Sequence, residues 1–225
     1  MPESFRTDRT AALAIDLQGE NLSEGAWPVE NYADVLRNAQ IALTACRSQG
    51  IPIIYSRHWL DRRGIDARRF QTLRPNGRPL NSVAGSPLAE ICHEVAPHDD
   101  DIIIDKQRFT AFYATKLDLV LNRMDIDHLI IFGVWTEACL ETTVWDALWR
   151  DFRVTLVKDA CGSATAAIHK TAILDLANWL SGGTIITAAE LAKALGGQDY
   201  KCWTFKEPYS LPYRLDTVDE LYNSL

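Results

Sequence analysis

The amino-acid sequence predicts an α/β fold in three layers, with a six-stranded parallel sheet between helices on both faces. Six short apolar runs recur along the chain. They are β-branched or continuous rather than alternating, as is typical of strands covered on both faces. Helical patterns lie between most of these runs, and strands separated by helices indicate right-handed βαβ units. A chain of 225 residues is long enough to bury one such core.

The predicted strands and helices alternate from the N-terminus onward. Residues 57–86 fall outside this alternation, because they form a polar, arginine-rich excursion after the second strand, and loops of that length are usually functional or mobile. The first predicted helix stops at Gly50. The predicted strands cover residues 11–15, 51–55, 102–104, 129–132, 154–157 and 185–186. The predicted helices cover residues 30–48, 115–123, 138–150 and 166–180.

No internal repeat and no Pro- or Ser-rich linker divides the chain, so we predict one domain over residues 1–197 with a C-terminal extension over residues 198–225. The extension is too aromatic for a solvated tail. We therefore expect it to pack on the same domain or on a neighbouring subunit. Its aromatic residues include Trp203, Phe205, Tyr209, Tyr213 and Tyr222.

Composition and charge exclude several classes of protein. Hydrophobic residues make up 47% and charged residues 24%, which excludes a disordered or collagenous chain. No apolar run approaches the ~20 residues that cross a bilayer, so no membrane partner is predicted. The formal net charge is -7 without a basic run, which disfavours a nucleic-acid partner. Residues 1–6 lack the order of a signal peptide, so we expect a cytoplasmic protein.

Three reactive side chains follow predicted strands: Asp16 the first, Lys106 the third and Cys139 the fourth. Open parallel sheets bind ligands beyond the carboxyl ends of their strands, so the three are expected to meet at one edge. If Thr136 caps the next helix, the helix dipole and the Lys106 ammonium would lower the pKa of Cys139. Asp16 would then accept and return the proton. Taken singly, Asp16 also fits a turn or helix cap, Lys106 a solvated position beside a strand, and Cys139 a buried position between strand and helix.

Three motifs occur in order along the chain. They read Ile15-Asp16-Leu17-Gln18; Asp105-Lys106-Gln107-Arg108-Phe109-Thr110-Ala111-Phe112 with Thr115-Lys116-Leu117-Asp118; and Gly133-Val134-Trp135-Thr136-Glu137-Ala138-Cys139-Leu140-Glu141-Thr142-Thr143 with Lys158-Asp159-Ala160-Cys161-Gly162. Together they resemble the isochorismatase-like cysteine hydrolases, which include nicotinamidases, N-carbamoylsarcosine amidases, and ureidoacrylate and biuret hydrolases. The likeness covers residues from about 9 to 195.

The resemblance implies a Rossmann-like hydrolase fold and a catalytic triad of Asp16, Lys106 and Cys139. It also implies a cis peptide bond at Val134-Trp135, and we predict an oxyanion hole formed by the backbone N–H groups of Trp135 and Cys139. On this basis Cys139 attacks a small amide, ureido or carbamoyl substrate, a thioester forms and ammonia is released. The resemblance implies no cofactor, and we expect a homo-oligomer, either a dimer or a tetramer.

Nicotinamidases of this family bind a metal through an Asp-x-His motif and a second His downstream. Here the matching stretch reads Tyr55-Ser56-Arg57-His58-Trp59-Leu60-Asp61, so we predict no metal, and ligation by His58 and Asp61 stays open. The five cysteines contain no C-x-x-C pair, which indicates neither a disulfide framework nor a zinc cluster. A buried Arg57 would suit a carboxylate on the substrate, and a surface arginine is the alternative. The candidate substrate contacts are Arg57, His58, Phe112, Tyr113 and Trp135.

Three other functions compete with cysteine-dependent hydrolysis. Ether hydrolysis of the isochorismatase type is disfavoured, because that reaction needs no nucleophilic cysteine and Cys139 is present. A non-catalytic binding role is disfavoured by the intact triad positions. A nucleotide-binding Rossmann domain is excluded, because no Gly-x-Gly-x-x-Gly follows the first strand.

Overall fold

The computed structural model describes residues 6–225. Residues 1–5, which hold most of the stretch behind the cytoplasmic prediction, lie outside the described residues. The strands are β1 Thr10–Ile15, β2 Ile53–His58, β3 Ile102–Lys106, β4 His128–Val134, β5 Arg153–Gly162, β6 Thr184–Ile186 and β7 Trp203–Thr204. They form one sheet in the order β3-β2-β1-β4-β5-β6-β7. All neighbouring strands are parallel except β6 and β7.

Six α-helices and one π-helical turn accompany the sheet in the described part of the chain. They are α1 Tyr32–Ser48, α2 Leu117–Arg123, the turn Thr136–Leu140, α3 Glu141–Leu148, α4 Ala166–Ala177, α5 Ala188–Leu195 and α6 Val218–Ser224. Helix α1 packs on α5 and β5, whereas α4 packs on α6 and on the π-helical turn. Thr165 and Thr187 start α4 and α5, since each hydroxyl accepts a hydrogen bond from a backbone N–H in the first turn.

The centre of the sheet is the most deeply buried part of the molecule. Every residue of β1 and β4 is buried, which explains why both strands are apolar on both faces. The strand order reverses between these two neighbours, since β2 and β3 lie on one side and β5 and β6 on the other. Such a reversal leaves a crevice beyond the carboxyl ends of the two strands. The residues after β1 and β4 therefore face a natural ligand site.

The predicted α/β fold is confirmed, and six of the seven strands are those predicted. Strand β7 was not predicted, because two residues are too few to show a pattern, and it is antiparallel. Strand β5 runs on through the charged residues Lys158 and Asp159 to Gly162, beyond the predicted end at residue 157. Helix α5 was also missing from the predicted elements. The predicted helix 138–150 is preceded and partly replaced by the π-helical turn.

The C-terminal segment contacts the rest of the same chain. Strand β7 pairs with β6, and the Asn178 side chain makes two hydrogen bonds to the backbone of Leu211, of 2.8 and 3.0 Å. Val218 and Leu225 are buried. The division at residue 197, the subunit number and a packing role between subunits stay predictions. None of the helices formed by residues 6–225 is both long enough and apolar enough to traverse a bilayer.

Candidate active site

Asp16 and Lys106 form a buried ion pair at the crevice. Asp16 follows β1 in a left-handed conformation with φ 50°, and Lys106 ends β3. The Lys106 Nζ atom lies 2.7 Å from Asp16 Oδ2, and the Ser56 hydroxyl donates to Asp16 Oδ1 over 3.0 Å. Lys106 is fully buried. Burial opposes its charge, but the attraction of the Asp16 carboxylate outweighs burial, and the pKa of Lys106 lies above its ordinary value.

Cys139 lies in the π-helical turn after β4 and interacts with both members of this pair. The Thr143 hydroxyl donates to its carbonyl oxygen over 2.6 Å. The side chain is partly exposed towards the crevice, yet burial is strong enough to raise the pKa of the thiol to about 12. Lys106 lowers the pKa and Asp16 raises it. Burial therefore favours the neutral thiol over the thiolate.

Two expectations about the Cys139 turn are wrong. Its pKa is raised rather than lowered, because burial and Asp16 together outweigh the Lys106 ammonium. Thr136 does not cap the helix, because its hydroxyl donates instead to the Gly162 carbonyl over 2.9 Å. The burial of a thiol and the direction of a hydroxyl both depend on neighbours that are remote in sequence.

The peptide bond at Val134-Trp135 is cis. Gly133, just before it, has φ 126°, and a Cβ atom there would lie 2.1 Å from the Ile15 carbonyl oxygen. The backbone of β4 can approach β1 this closely only because residue 133 is glycine. The Trp135 indole N–H donates to Asn21 Oδ1 over 2.9 Å, and the Asn21 amide donates to the Asp16 carbonyl over 2.9 Å. Asn21 thus joins the turns that carry Asp16 and Trp135.

A cavity of about 560 Å³ opens at the crevice, and Asp16 and Cys139 line it. Two of the predicted substrate contacts, His58 and Trp135, also line it. Lys106 lies behind this surface, where it holds Asp16. The other lining residues are Gln18, Glu20, Asn21, Trp27, Arg68, Phe70, Gln71, Thr72, Leu80, Asn81, Ser82, Phe109, Val134 and Ala138.

Three predicted substrate contacts do not line the cavity. The Arg57 guanidinium lies 2.6 Å from Asp105 and 2.8 Å from Glu90, and it stacks over the Trp59 ring. Phe112 is buried in the core, and Tyr113 is 61% exposed. Strand β2 continues to His58, so side chains 57 and 58 point to opposite faces and only His58 reaches the cavity.

The predicted excursion after β2 supplies one wall of the cavity through Arg68, Phe70 and residues up to Ser82. Glu20 ties it down, because its carboxylate accepts hydrogen bonds from the backbone N–H and the hydroxyl of Ser82 over 2.5 and 3.0 Å. Burial raises the pKa of Glu20. Sequence reasoning selected this loop by its length and arginine content but missed which of its residues face the cavity.

Burial, reinforced by the Lys106 charge, lowers the pKa of His58 to about 4, so its imidazole is neutral near pH 7. Asp61 binds Arg63 through a hydrogen bond of 2.9 Å. Within residues 6–225, no three His, Cys, Asp or Glu side chains are grouped as metal ligands.

The isochorismatase domain model matches residues 10–190 of the chain. A probable inactive nicotinamidase from Arabidopsis thaliana is 34% identical over 182 residues, which are 79% of this chain and 92% of the plant protein. The ureidoacrylate amidohydrolase RutB from Pantoea ananatis is 26% identical over 212 residues, with 85% and 84% of the two chains covered.

Solved structures agree with the family match. A cysteine hydrolase from Pseudomonas syringae pv. phaseolicola has a TM-score of 0.78 and 28% sequence identity. The similarity covers 88% of this chain and 96% of that one. Residues 10–190, matched by the family model, contain the ion pair, the Cys139 turn and every residue that lines the cavity. The chain belongs to the isochorismatase family and is a hydrolase of that family.

Proposed function

We propose that this protein hydrolyses a C–N bond of a small amide, ureido or carbamoyl compound through a thioester on Cys139 and releases ammonia. The observation that carries the proposal is the Asp16–Lys106 ion pair of 2.7 Å beside the Cys139 thiol, in a cavity of about 560 Å³. A nucleophile, a base and a charged support are the groups that acyl transfer requires. The relative named ureidoacrylate amidohydrolase supports the same reaction class.

The first half-reaction uses Asp16 as a proton carrier. The carboxylate takes the proton of the Cys139 thiol while the sulfur attacks the carbonyl carbon, and the carbonyl electron pair moves to the oxygen. The backbone N–H groups of Trp135 and Cys139 hydrogen-bond to this oxyanion. When the C–N bond breaks, Asp16 gives its proton to the departing nitrogen. Ammonia leaves, and the acyl or carbamoyl group stays on sulfur.

The second half-reaction repeats these steps with water. Asp16 takes a proton from the water as its oxygen attacks the thioester carbon. The C–S bond then breaks, and Asp16 returns the proton to the sulfur. Lys106 holds the Asp16 side chain in place throughout, because it pairs with the carboxylate oxygen Oδ2.

Arg68 gives the cavity a preference for anionic substrates. Its guanidinium lies 4.8 Å from the centre of the Phe109 ring, and it has no carboxylate partner among residues 6–225. The neighbouring carboxylate of Asp16 is already neutralised by Lys106. A carboxylate on the substrate would therefore find a guanidinium that is not already paired with a carboxylate.

Ammonia release from a panel of amides, ureides and carbamoyl acids tests the reaction. We expect at least one compound to release ammonia and Cys139→Ala to abolish that release. Cys161→Ala is the matched control, because Cys161 is buried and its thiol contacts the Val157 carbonyl outside the cavity. Substantial turnover by Cys139→Ala would refute the cysteine mechanism.

A non-catalytic binding role is the second candidate, and the name of the plant relative, a probable inactive nicotinamidase, favours it. No ammonia from any compound, together with saturable binding of one of them, would support this role and contradict the proposed hydrolysis.

The substrate charge is tested with one carboxylate-bearing ureide and its methyl ester. Arg68→Gln should lower kcat/KM for the acid by about 10- to 100-fold, which is the range for one hydrogen bond to a charged group, and leave the ester unchanged. Arg69→Gln is the control, because Arg69 lies on the same loop but stacks on Phe70 at 5.5 Å and does not line the cavity. Equal losses for acid and ester would contradict the role of Arg68.

A further inference from the structure

A chain of hydrogen bonds links the C-terminal helix α6 to the turn that carries Cys139. The Tyr222 hydroxyl lies 3.0 Å from His169 Nε2. On the other side of the imidazole, Nδ1 lies 2.9 Å from the Thr136 hydroxyl. Thr136 Oγ1 in turn lies 2.9 Å from the Gly162 carbonyl oxygen. Four polar groups from α6, α4, the π-helical turn and the end of β5 thus form one continuous path.

The direction of each bond follows from the fixed end of the path. A carbonyl oxygen only accepts, so the single hydroxyl proton of Thr136 goes to Gly162. The same hydroxyl must then accept from His169, which places the imidazole proton on Nδ1. His169 Nε2 is left as an acceptor, and Tyr222 donates to it. For a neutral imidazole, only this arrangement satisfies all three contacts.

The surroundings of His169 keep it in the neutral form that this arrangement requires. Burial, together with the ammonium groups of Lys170 and Lys158, lowers the pKa of His169 to about 4. Both lysines also hold α6, since Lys158 donates to the Tyr222 carbonyl over 2.9 Å and Lys170 pairs with Asp219 at 2.7 Å. Among residues 6–225, no anionic group contributes to the pKa of His169. An imidazolium at this position would therefore lack a counter-charge.

We propose that Tyr222 is a positioning residue for the Cys139 nucleophile. By donating to His169 it selects the tautomer that fixes the Thr136 hydroxyl on Gly162, and this holds the first residue of the Cys139 turn against β5. Tyr222 lies beyond residues 10–190, the part matched by the family model, so this contact is supplied by the C-terminal segment. The catalytic half of this inference rests on the proposed function, whereas the tautomer of His169 does not.

Loss of the Tyr222 hydroxyl would free the imidazole to carry its proton on either nitrogen. In the Nε2–H form, Nδ1 becomes an acceptor and competes with Gly162 for the Thr136 hydroxyl proton. The turn would then lose its bond to β5 in part of the molecules. Small displacements of a nucleophile reduce its rate of attack more than they reduce substrate binding.

The test compares Tyr222→Phe with Tyr213→Phe. Both changes remove one hydroxyl that reaches α4 from the C-terminal segment, since Tyr213 donates to Asp175 over 3.0 Å. Only Tyr222 contacts His169. Nitrogen-15 NMR of the histidine rings gives the tautomer, mass spectrometry of the Cys139 peptide gives its alkylation rate, and steady-state kinetics give kcat and KM.

We expect the parent and Tyr213→Phe to show His169 protonated on Nδ1, and Tyr222→Phe to show a mixture or the Nε2–H form. In Tyr222→Phe, kcat and the alkylation rate should fall by about 2- to 10-fold, the range for one neutral hydrogen bond, with KM unchanged. His169→Asn, whose amide N–H can occupy the place of Nδ1–H, should retain more activity than His169→Leu.

Three results would overturn the inference. They are an Nε2–H imidazole in the parent, equal kinetic losses in the two tyrosine variants, or a Tyr222→Phe protein with unchanged kcat and alkylation rate. The NMR and alkylation measurements need no substrate. A protein that shows the expected tautomer and thiol reactivity but no ammonia release would therefore count against the proposed function and not against the positioning role.

Discussion

Replacing Lys106 with methionine would test the buried ion pair directly. Methionine keeps most of the length of the side chain and removes its charge. Lys106 is fully buried and Asp16 is 6% exposed, so no solvent can replace the lost ammonium without local rearrangement. Asp16 would keep the hydrogen bond from Ser56 but would lie buried without a cation.

The expected loss follows from the geometry of the pair. At 2.7 Å the attraction of two unit charges is about 6 kcal/mol with an effective dielectric constant of 20. Part of this is recovered, because the variant no longer buries an ammonium group. Breaking a buried pair by removing one partner costs about 3–5 kcal/mol. We expect Lys106→Met to lower the free energy of unfolding by that amount at pH 7.

Urea denaturation of the parent, Lys106→Met, Asp16→Asn and the double variant forms the assay. The double variant should lose less than the sum of the single changes, because it leaves no unpaired charge. Lys193→Met, which breaks an exposed pair with Glu190, should lower the free energy of unfolding far less than Lys106→Met.

Two outcomes would refute this reasoning. The first is a loss below about 1 kcal/mol in Lys106→Met, which would mean that the pair is hydrated or weak. The second is additivity within about 0.5 kcal/mol, which would mean that Lys106 and Asp16 do not depend on each other.

Two further predictions concern stability. Gly133→Ala should lower the free energy of unfolding, measured by thermal denaturation, by more than about 2 kcal/mol, because its Cβ would lie 2.1 Å from the Ile15 carbonyl oxygen. Gly182→Ala, whose Cβ would have no atom within 4 Å, should lower it by about 1 kcal/mol. Similar losses in the two variants would contradict this reasoning. Burial lowers the pKa of His58, His128 and His169 to about 4. The unfolded chain therefore binds more protons than the folded protein between pH ~6.5 and 4, so the midpoint of urea denaturation should fall as pH drops through this range. A midpoint that rises would contradict this prediction.

The sequence predicts the meeting of Asp16, Lys106 and Cys139 because each follows a parallel strand. Parallel strands end at one edge of the sheet, so position in the alternation is enough to bring such residues together. The same reasoning predicts the fold, because β1 and β4 are apolar on both faces. Both predictions depend on short sequence patterns, which can be recognised without knowing which residues pack against them.

The wall of the cavity could not be predicted in the same way. The loop after β2 has no periodicity, so nothing in its sequence distinguishes Arg68, which lines the cavity, from Arg69, which does not. Arg57, near the end of β2, does not line the cavity either. Arg57 is instead satisfied by Asp105 and Glu90, partners that are 48 and 33 residues away. The hydrogen-bonded path from Tyr222 to Thr136 could not be predicted either, because it joins residues that are brought together only by packing of the folded chain.

In the proposed mechanism, a Cys139 thiol with a raised pKa suits this site, because proton transfer to Asp16 leaves the net charge unchanged. Moving the Cys139 proton to Asp16 turns a carboxylate into an acid and a thiol into a thiolate, so the net charge beside Lys106 does not change. The ammonium can stabilise the anion on oxygen and then on sulfur without moving, since it interacts with both groups. A fixed cation of this kind needs little reorganisation during the reaction. In the proposed mechanism, burial favours a protonated sulfur at rest, and the exchange with Asp16 forms the nucleophile without adding charge to the interior.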